Sequence, residues 1–148
     1  MIKEIKSFSQ DETEQIAEKI GKQLKGRETI ALISDLGGGK TTFVHGLVKG
    51  SGSADKIASP TFTISRVYEG DKFDIHHFDF YRLDDPGILK HSLSEAITDA
   101  NSVTVIEWPA IVEGVLPEDR LTIKFKVNDV NERIITLNYP NSLSYLLK

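Results

Sequence analysis

Ser34-Asp35-Leu36-Gly37-Gly38-Gly39-Lys40-Thr41-Thr42 is the stretch of sequence that predicts the fold. Its consecutive glycines lack a Cβ and adopt positive φ readily, so backbone N–H groups in such a turn can converge on an anion. Gly39-Lys40-Thr41 matches the end of the phosphate-loop pattern, in which Gly, four residues and Gly precede Lys and then Ser or Thr. Ser34 stands where that pattern has its first glycine. Because serine tolerates positive φ poorly, we expect the turn to differ slightly there.

The residues on either side of this loop supply the context that a phosphate loop requires. Residues 28–33 end in a continuous apolar run, which is typical of a strand buried on both faces of a parallel sheet. Residues 40–49 predict a helix, which Gly50 closes. Its apolar face consists of Phe43, Val44, Leu47 and Val48. A strand, a glycine turn and a helix therefore follow one another in register.

The rest of the chain predicts further strands and helices. Ser9 and Glu12 form a capping box that begins a helix ending near Gly26. Further strands are predicted at residues 2–8, 61–68, 73–81, 102–107, 121–127 and 133–139, of which 102–107 is a buried strand and four others pair as two hairpins. Helices are predicted within residues 88–100 and 141–148. The expected fold is α/β: a single domain over residues 1–148, resembling a P-loop NTPase, with a mixed sheet flanked by helices and carrying hairpins.

Composition excludes several classes of protein. The 148 residues carry a formal net charge of −4, so the chain does not hold RNA by bulk electrostatics. It has no cysteine, which excludes a disulfide framework, a thiolate zinc site and a cysteine nucleophile, and fits a reducing cytosol. The N-terminus lacks the apolar core of a signal peptide, and no apolar run is long enough to span a membrane. We therefore expect a cytoplasmic protein with no membrane partner.

Each part of the loop has a predicted role in binding a nucleoside triphosphate. The backbone N–H groups and the positive end of the helix dipole face the phosphates, and Lys40 adds a charge near the β and γ phosphates. The Thr41 hydroxyl is placed to ligate Mg²⁺. The predicted nucleotide-binding residues are Asp35, Leu36, Gly37, Gly38, Gly39, Lys40, Thr41 and Thr42.

A hydrolase also needs an acid on the metal and a group that orients water. Glu107 ends a predicted buried strand, and Asp79 lies late in another, so both are candidates, and either one can be the main metal acid. Thr61 follows Ser59-Pro60 in a loop where phosphate-loop enzymes often keep a nucleotide-sensing switch. His76 and His77 are adjacent on a strand and point to opposite faces, so they predict no metal site.

Other phosphate-loop classes fit less well. The chain has no Asn-Lys-x-Asp segment to read guanine, which argues against a GTPase. Its five arginines are scattered, whereas a nucleotide kinase normally has an arginine-rich lid. A minimal NTPase remains. The residues leave two alternatives open, namely a nucleotide-dependent switch that needs no turnover and a small-molecule kinase.

Four blocks in this order resemble the TsaE (YjeE) family over nearly the whole chain. They are Ser34–Phe43, Ser59-Pro60-Thr61-Phe62-Thr63, His77-Phe78-Asp79-Phe80-Tyr81-Arg82-Leu83 and Glu107-Trp108-Pro109. The family's loop usually starts with glycine and reads Gly-Ala-Gly where this chain has Gly37-Gly38-Gly39. The family comprises small bacterial ATPases needed for threonylcarbamoyl-adenosine (t6A) modification of tRNAs that read codons starting with A.

The resemblance implies specific roles and partners. Lys40 and the loop backbone would hold the β and γ phosphates of ATP, and Thr41 with Glu107 would hold Mg²⁺. Thr61 would belong to the first switch, Asp79 would position the attacking water, and Trp108 would lie beside the metal acid. The partners implied are TsaD and TsaB, whose complex ATP hydrolysis would reset between turnovers. Contact with tRNA would then be only indirect.

Overall fold

A computed structural model describes residues 1–35, 37–54, 65–81 and 83–148. These residues form a seven-stranded sheet in the order β1-β7-β6-β2-β5-β4-β3. The strands are β1 Ile2–Ser7, β2 Thr29–Ile33, β3 Ser65–Tyr68, β4 Asp74–Asp79, β5 Ser102–Glu107, β6 Leu121–Val127 and β7 Arg133–Asn138. The neighbours β6, β2, β5 and β4 run parallel to one another, while β1, β7 and β3 pair antiparallel. The mixed sheet with two hairpins confirms the predicted fold class.

The two central strands are buried on both faces, although Ser102, Thr104 and Glu107 of β5 are polar. All six residues of β5 are buried, and so are the first four of the five in β2. A parallel sheet covered by helices on both faces requires this pattern. The predicted bounds of β5 agree with the structure, while the predicted hairpin strand 61–68 is described only from Ser65 onward.

Three α-helices cover the sheet: α1 Gln10–Gln23, α2 Lys40–Gly50 and α3 Leu89–Thr98. Two 3-10 segments, Pro109–Val115 and Asn141–Leu147, follow β5 and β7. Ser9 caps α1, since its Oγ accepts a hydrogen bond from the Glu12 N–H at 3.1 Å. The Glu12 carboxylate reaches back to the N–H of Phe8 at 2.7 Å, one residue earlier than the capping-box pattern predicts.

The helices α1 and α2 cross at close range on one face of the sheet. A Cβ built on Gly46 would lie 2.3 Å from the Glu14 carbonyl oxygen, and one on Gly50 would lie 2.2 Å from that of Glu18. Only glycine permits this approach, so the second half of α2 packs directly against the backbone of α1. A larger apolar core lies on the α1–α2 side and a smaller one on the α3 side. No helix among the described residues is both long enough and apolar enough to cross a bilayer.

Candidate functional site

The glycine loop joins β2 to α2 with the backbone that its sequence predicts. Gly37 and Gly39 have φ values of 75° and 106°, and α2 begins at Lys40 directly after Gly39. Lys40 and Gly38 are buried, whereas Asp35 and Gly37 are exposed. Leu36, also predicted to bind nucleotide, lies outside the described residues. The loop therefore presents its backbone at the N-terminal end of α2, where helix N–H groups and the dipole favour an anion.

Ser34 has an ordinary backbone, since the only non-glycine residue with positive φ among those described is Trp108. Its hydroxyl donates a hydrogen bond to the Asp35 carbonyl oxygen at 2.5 Å. A Cβ built on Gly38 would lie 1.8 Å from Ser34 Oγ and 2.9 Å from its Cβ. The serine side chain therefore fills the space that an alanine at position 38 would need.

Lys40 is held inside the site rather than extended into solvent. Its side chain leaves the residue only 7% exposed, and Nζ donates to the carbonyl oxygens of Asp35 at 3.1 Å and Ser34 at 3.4 Å. Nζ also lies 4.5 Å from the ring centroid of Trp108. Burial lowers the pKa of the Lys40 amine, while Glu107 and Asp79 oppose that shift. Among the described residues, the amine forms no ion pair with a carboxylate.

The two candidate acids end neighbouring parallel strands. Asp79 of β4 is in register with Glu107 of β5, so both side chains leave the sheet on the same face. Asp79 Oδ1 accepts a hydrogen bond from the Tyr81 N–H at 2.9 Å. Burial raises the pKa of the Asp79 carboxyl, the Tyr81 N–H lowers it, and the neighbouring Glu107 raises it further. Glu107 is only 3% exposed. The sequence predicted both acids, and the register places them side by side.

A histidine that the sequence interpretation set aside contacts one of these acids. His77 Nε2 lies 2.7 Å from Glu107 Oε2, and His77 Nδ1 lies 3.4 Å from the hydroxyl of Tyr68. His76 and His77 point to opposite faces, as predicted. The sequence does contain one indication of this contact. His77 lies two residues before Asp79, and residues two apart on a strand share a face, so His77 is on the face that carries the candidate acids.

One aromatic side chain lies against the lysine, and a second packs on the first. The rings of Tyr81 and Trp108 lie 4.9 Å apart, and Trp108 in turn faces Lys40 Nζ. Trp108 directly follows β5 with φ 56° and ψ 61°, a left-handed conformation that costs a bulky residue energy. Its aromatic ring therefore shields the amine from water, and a local backbone strain accompanies that placement.

The remaining predicted site residues lie at the start of α2 or outside the residues that the structure describes. Thr41 is exposed and Thr42 is half-buried in the first turn of α2, next to Lys40. Thr61 lies outside the described residues, so its predicted switch role stays a prediction. The structure thus brings Lys40, Thr41, Asp79 and Glu107 to one end of the sheet.

The oxygen ligands at this end fit magnesium better than zinc or copper. The described residues contain no group of three or more His, Cys, Asp or Glu side chains able to form a metal cage. Mg²⁺ usually binds through one or two carboxylates together with substrate phosphates and waters. A buried carboxylate and a hydroxyl beside a phosphate loop satisfy that requirement. The predicted ligands Thr41 and Glu107 are of these two types.

Comparison with known proteins identifies the family. Residues 7–135 match the family model described as "Threonylcarbamoyl adenosine biosynthesis protein TsaE". The chain is 33% identical over 137 residues to the tRNA threonylcarbamoyladenosine biosynthesis protein TsaE of Rickettsia prowazekii (strain Madrid E), covering 91% of this chain and 94% of that protein. It is 34% identical over 139 residues to the protein of that name from Aquifex aeolicus (strain VF5), covering 93% and 96% respectively. The crystal structure of Bacillus subtilis YdiB aligns with a TM-score of 0.77 at 31% identity, covering 99% of this chain and 93% of that one. The chain therefore belongs to the TsaE family of threonylcarbamoyl adenosine biosynthesis proteins.

Proposed function

We propose that this chain binds ATP with Mg²⁺ at residues 34–42 and hydrolyses it, as the nucleotide-driven subunit of a t6A-forming assembly with TsaD and TsaB. Family membership supports the pathway, since the family model and the relatives carry it in their names. The loop, the buried amine and the paired acids support the ATPase activity.

The observation that carries the proposal is the state of Lys40. Its amine is buried at the start of α2, yet its only recorded protein partners among the described residues are two carbonyl oxygens and an aromatic face. Burying a cation without a directly paired carboxylate is costly, and burial lowers the pKa of Lys40 even though Glu107 and Asp79 oppose that shift. An arriving phosphate supplies the missing negative charge. The site is therefore suited to gain affinity from a polyphosphate.

A cavity beside the loop offers room for the nucleoside. It has a volume of about 420 Å³, within the range of small-ligand sites. Its lining includes Thr42 from α2, Ser9 and Thr13 from the start of α1, and Asn131 and Arg133 from the β6–β7 hairpin. Because Thr42 also ends the phosphate loop, phosphates in the loop would place the base and ribose in this cavity.

The side chains at the strand ends would then act on the γ-phosphate. Lys40 donates to phosphate oxygens and stabilises the charge that spreads over them during transfer. Asp79, with one oxygen held by the Tyr81 N–H, keeps its other oxygen to orient the attacking water. Thr41 and Glu107 would hold Mg²⁺, which would neutralise phosphate charge. Thr61 keeps its proposed role in sensing the γ-phosphate.

The proposed partners account for the pathway role of an acidic chain. A net charge of −4 gives no attraction to the tRNA backbone, so a partner protein supplies the RNA-binding surface. Nucleotide hydrolysis in this chain resets the TsaD–TsaB complex, which carries out the modification in the cytoplasm. Alone, the chain is expected to be a slow hydrolase.

Replacing Lys40 tests the nucleotide site. Lys40→Ala removes one charge-assisted phosphate contact, and we expect it to weaken ATP binding by about 1.5–3 kcal/mol in calorimetry with Mg²⁺. Lys49→Ala is the matched control, because Lys49 lies on the same helix but pairs on the surface with Glu14 and Glu18. Equal affinities for the Lys40 variant, the Lys49 variant and the parent chain would show that the loop is not the site.

Replacing Asp79 separates an ATPase from a switch that needs no turnover. Asp79→Asn keeps the acceptor for the Tyr81 N–H but removes the charge, so ATP affinity should change little. Phosphate release in the reconstituted assembly with TsaD and TsaB should fall to background. Asp71→Asn, in the exposed β3–β4 turn, serves as the control. Unchanged release with Asp79→Asn would remove Asp79 from the mechanism.

A further inference from the structure

A row of buried polar side chains crosses three neighbouring strands beneath the site. Tyr68 of β3, His77 of β4 and Glu107 of β5 are 0%, 1% and 3% exposed. The row is linked by the Tyr68 hydroxyl at 3.4 Å from His77 Nδ1 and by His77 Nε2 at 2.7 Å from Glu107 Oε2. It lies on the sheet face that α1 and α2 cover.

The chemistry of the row assigns a hydrogen to each contact. An ionised carboxylate only accepts, so the Glu107 contact requires the hydrogen to be on His77 Nε2. In a neutral imidazole, Nδ1 is then an acceptor, and the Tyr68 hydroxyl donates to it. The two contacts therefore fix both the tautomer and the ring orientation of His77.

The position of Glu107 shows where this fixed carboxylate acts. Glu107 is the last residue of β5, and the next residue, Trp108, places its ring 4.5 Å from Lys40 Nζ. His77 engages only Oε2, so the other oxygen of the same carboxylate remains for a cation in the site. His77 itself lies two residues before Asp79 on β4, on the same face of the sheet as the candidate acids.

We propose that His77 is a positioning residue that holds the Glu107 carboxylate in the orientation that binds the magnesium of the nucleotide site, with Tyr68 fixing His77. This inference rests on the proposed ATP–Mg²⁺ function. Groups that hydrogen-bond a metal ligand restrict its rotation, and their loss typically costs about 10–100-fold in metal affinity or activity. His77 does not touch the substrate or the ion, so its effect passes entirely through Glu107.

Two amide substitutions separate positioning from simple packing. In His77→Gln the amide nitrogen falls near the place of Nε2 and still donates to Glu107. In His77→Asn the amide nitrogen falls near the place of Nδ1, on the side of Tyr68, and leaves Glu107 without its donor. Both variants are neutral and polar, so they disturb the buried row in comparable ways.

The measurement is the affinity of Mn²⁺, used as a paramagnetic substitute for Mg²⁺, for the chain saturated with ADP. Free Mn²⁺ is followed by electron paramagnetic resonance, and ADP affinity in EDTA is measured separately by calorimetry. We expect His77→Asn to raise the Kd of Mn²⁺ about 10–100-fold. His77→Gln should retain most of the parent affinity, and ADP affinity in EDTA should be alike in all three chains.

The possible outcomes are distinguishable. Equal Mn²⁺ affinities for the Asn variant and the parent, or equal losses in both variants, would overturn the role of His77 while leaving ATP binding intact. A parent chain that fails to bind ADP would instead overturn the proposed function itself. Tyr68→Phe removes a single oxygen and provides a milder variant if the His77→Gln and His77→Asn proteins do not fold. It is expected to weaken Mn²⁺ binding without changing ADP affinity in EDTA, and no weakening would contradict the proposed row.

Discussion

At the scale of single residues, the two loop positions that differ from the family's usual residues lie in contact with each other. The family's loop usually has glycine where this chain has Ser34, and alanine where it has Gly38. The Ser34 side chain occupies the space in which an alanine Cβ at position 38 would lie, at 1.8 Å from Oγ. Rotating the hydroxyl would not relieve the clash, since Ser34 Cβ would still be 2.9 Å away. The two departures therefore form a compensated pair.

This pairing predicts a non-additive mutant cycle. Gly38→Ala alone overpacks the loop and should lower the free energy of unfolding by about 1–3 kcal/mol. In the Ser34→Gly background the same alanine should cost less, with a coupling energy of about 0.5–3 kcal/mol. Urea denaturation of the parent, both single variants and the double variant measures the coupling. The same cost for alanine in both backgrounds would contradict the pairing.

The placement of the candidate residues was the most predictable part of the site. Lys40, Thr41, Asp79 and Glu107 were predicted from motif and strand-end position, and the structure brings them to one end of the sheet, while their roles stay predictions. The contact of His77 with Glu107 was not predicted, because it depends on which strands become neighbours. Residues 30 positions apart in sequence meet there only after β4 pairs with β5.

At the scale of elements, the parallel ends of β4 and β5 place two carboxylates next to each other. The folded protein raises the pKa of Asp79 above its ordinary value of 3.8, mainly through burial. The folded state therefore holds this proton more tightly than the unfolded state does. Stability contributed by the protonated form is present in acid and is lost as the pH rises through the raised pKa.

The raised pKa of Asp79 predicts that removing its charge stabilises the folded protein. Asp79→Asn should raise the midpoint of thermal unfolding at neutral pH, where the parent carries an ionised, half-buried carboxylate whose pKa is raised. The gain should shrink as the pH is lowered and should be smallest below about 3, under the unfolded-state pKa of Asp79, where the carboxyl is protonated in both states. Circular dichroism melts of parent and variant across this range measure it. A gain that is constant with pH would show that charge burial is not the cause.

Elements with strong local signals were predicted closely. The strand β5 carries the β-branched residues Val103, Val105 and Ile106 and ends before Trp108-Pro109, so its bounds could be predicted from sequence. The N-terminal cap of α1 was also predicted, although its Glu12 carboxylate reaches Phe8 instead of Ser9. The strand order, with β2 between β5 and β6, depends on long-range packing and was not predicted.

At the scale of the whole molecule, the chain end ties the sheet to α1. Leu146, in the 3-10 segment Asn141–Leu147, is 2% exposed within the larger core. Leu146→Ala should lower the free energy of unfolding by about 2–5 kcal/mol, because it removes buried atoms and leaves a cavity. Ile88→Ala is the control, since Ile88 is 88% exposed and should change stability by less than about 0.5 kcal/mol. Comparable urea midpoints for the two variants would mean that the segment is not part of the core.

Trp108 is the single tryptophan of the chain, and its ring faces the amine of Lys40. Indole fluorescence from the native protein thus originates at one known place, without a dye or an unnatural residue. When a ligand draws that amine away from the ring, the wavelength or the intensity of the indole emission should change. The molecule carries its own optical reporter for stopped-flow kinetics, and the reporter is retained in all the variants described above.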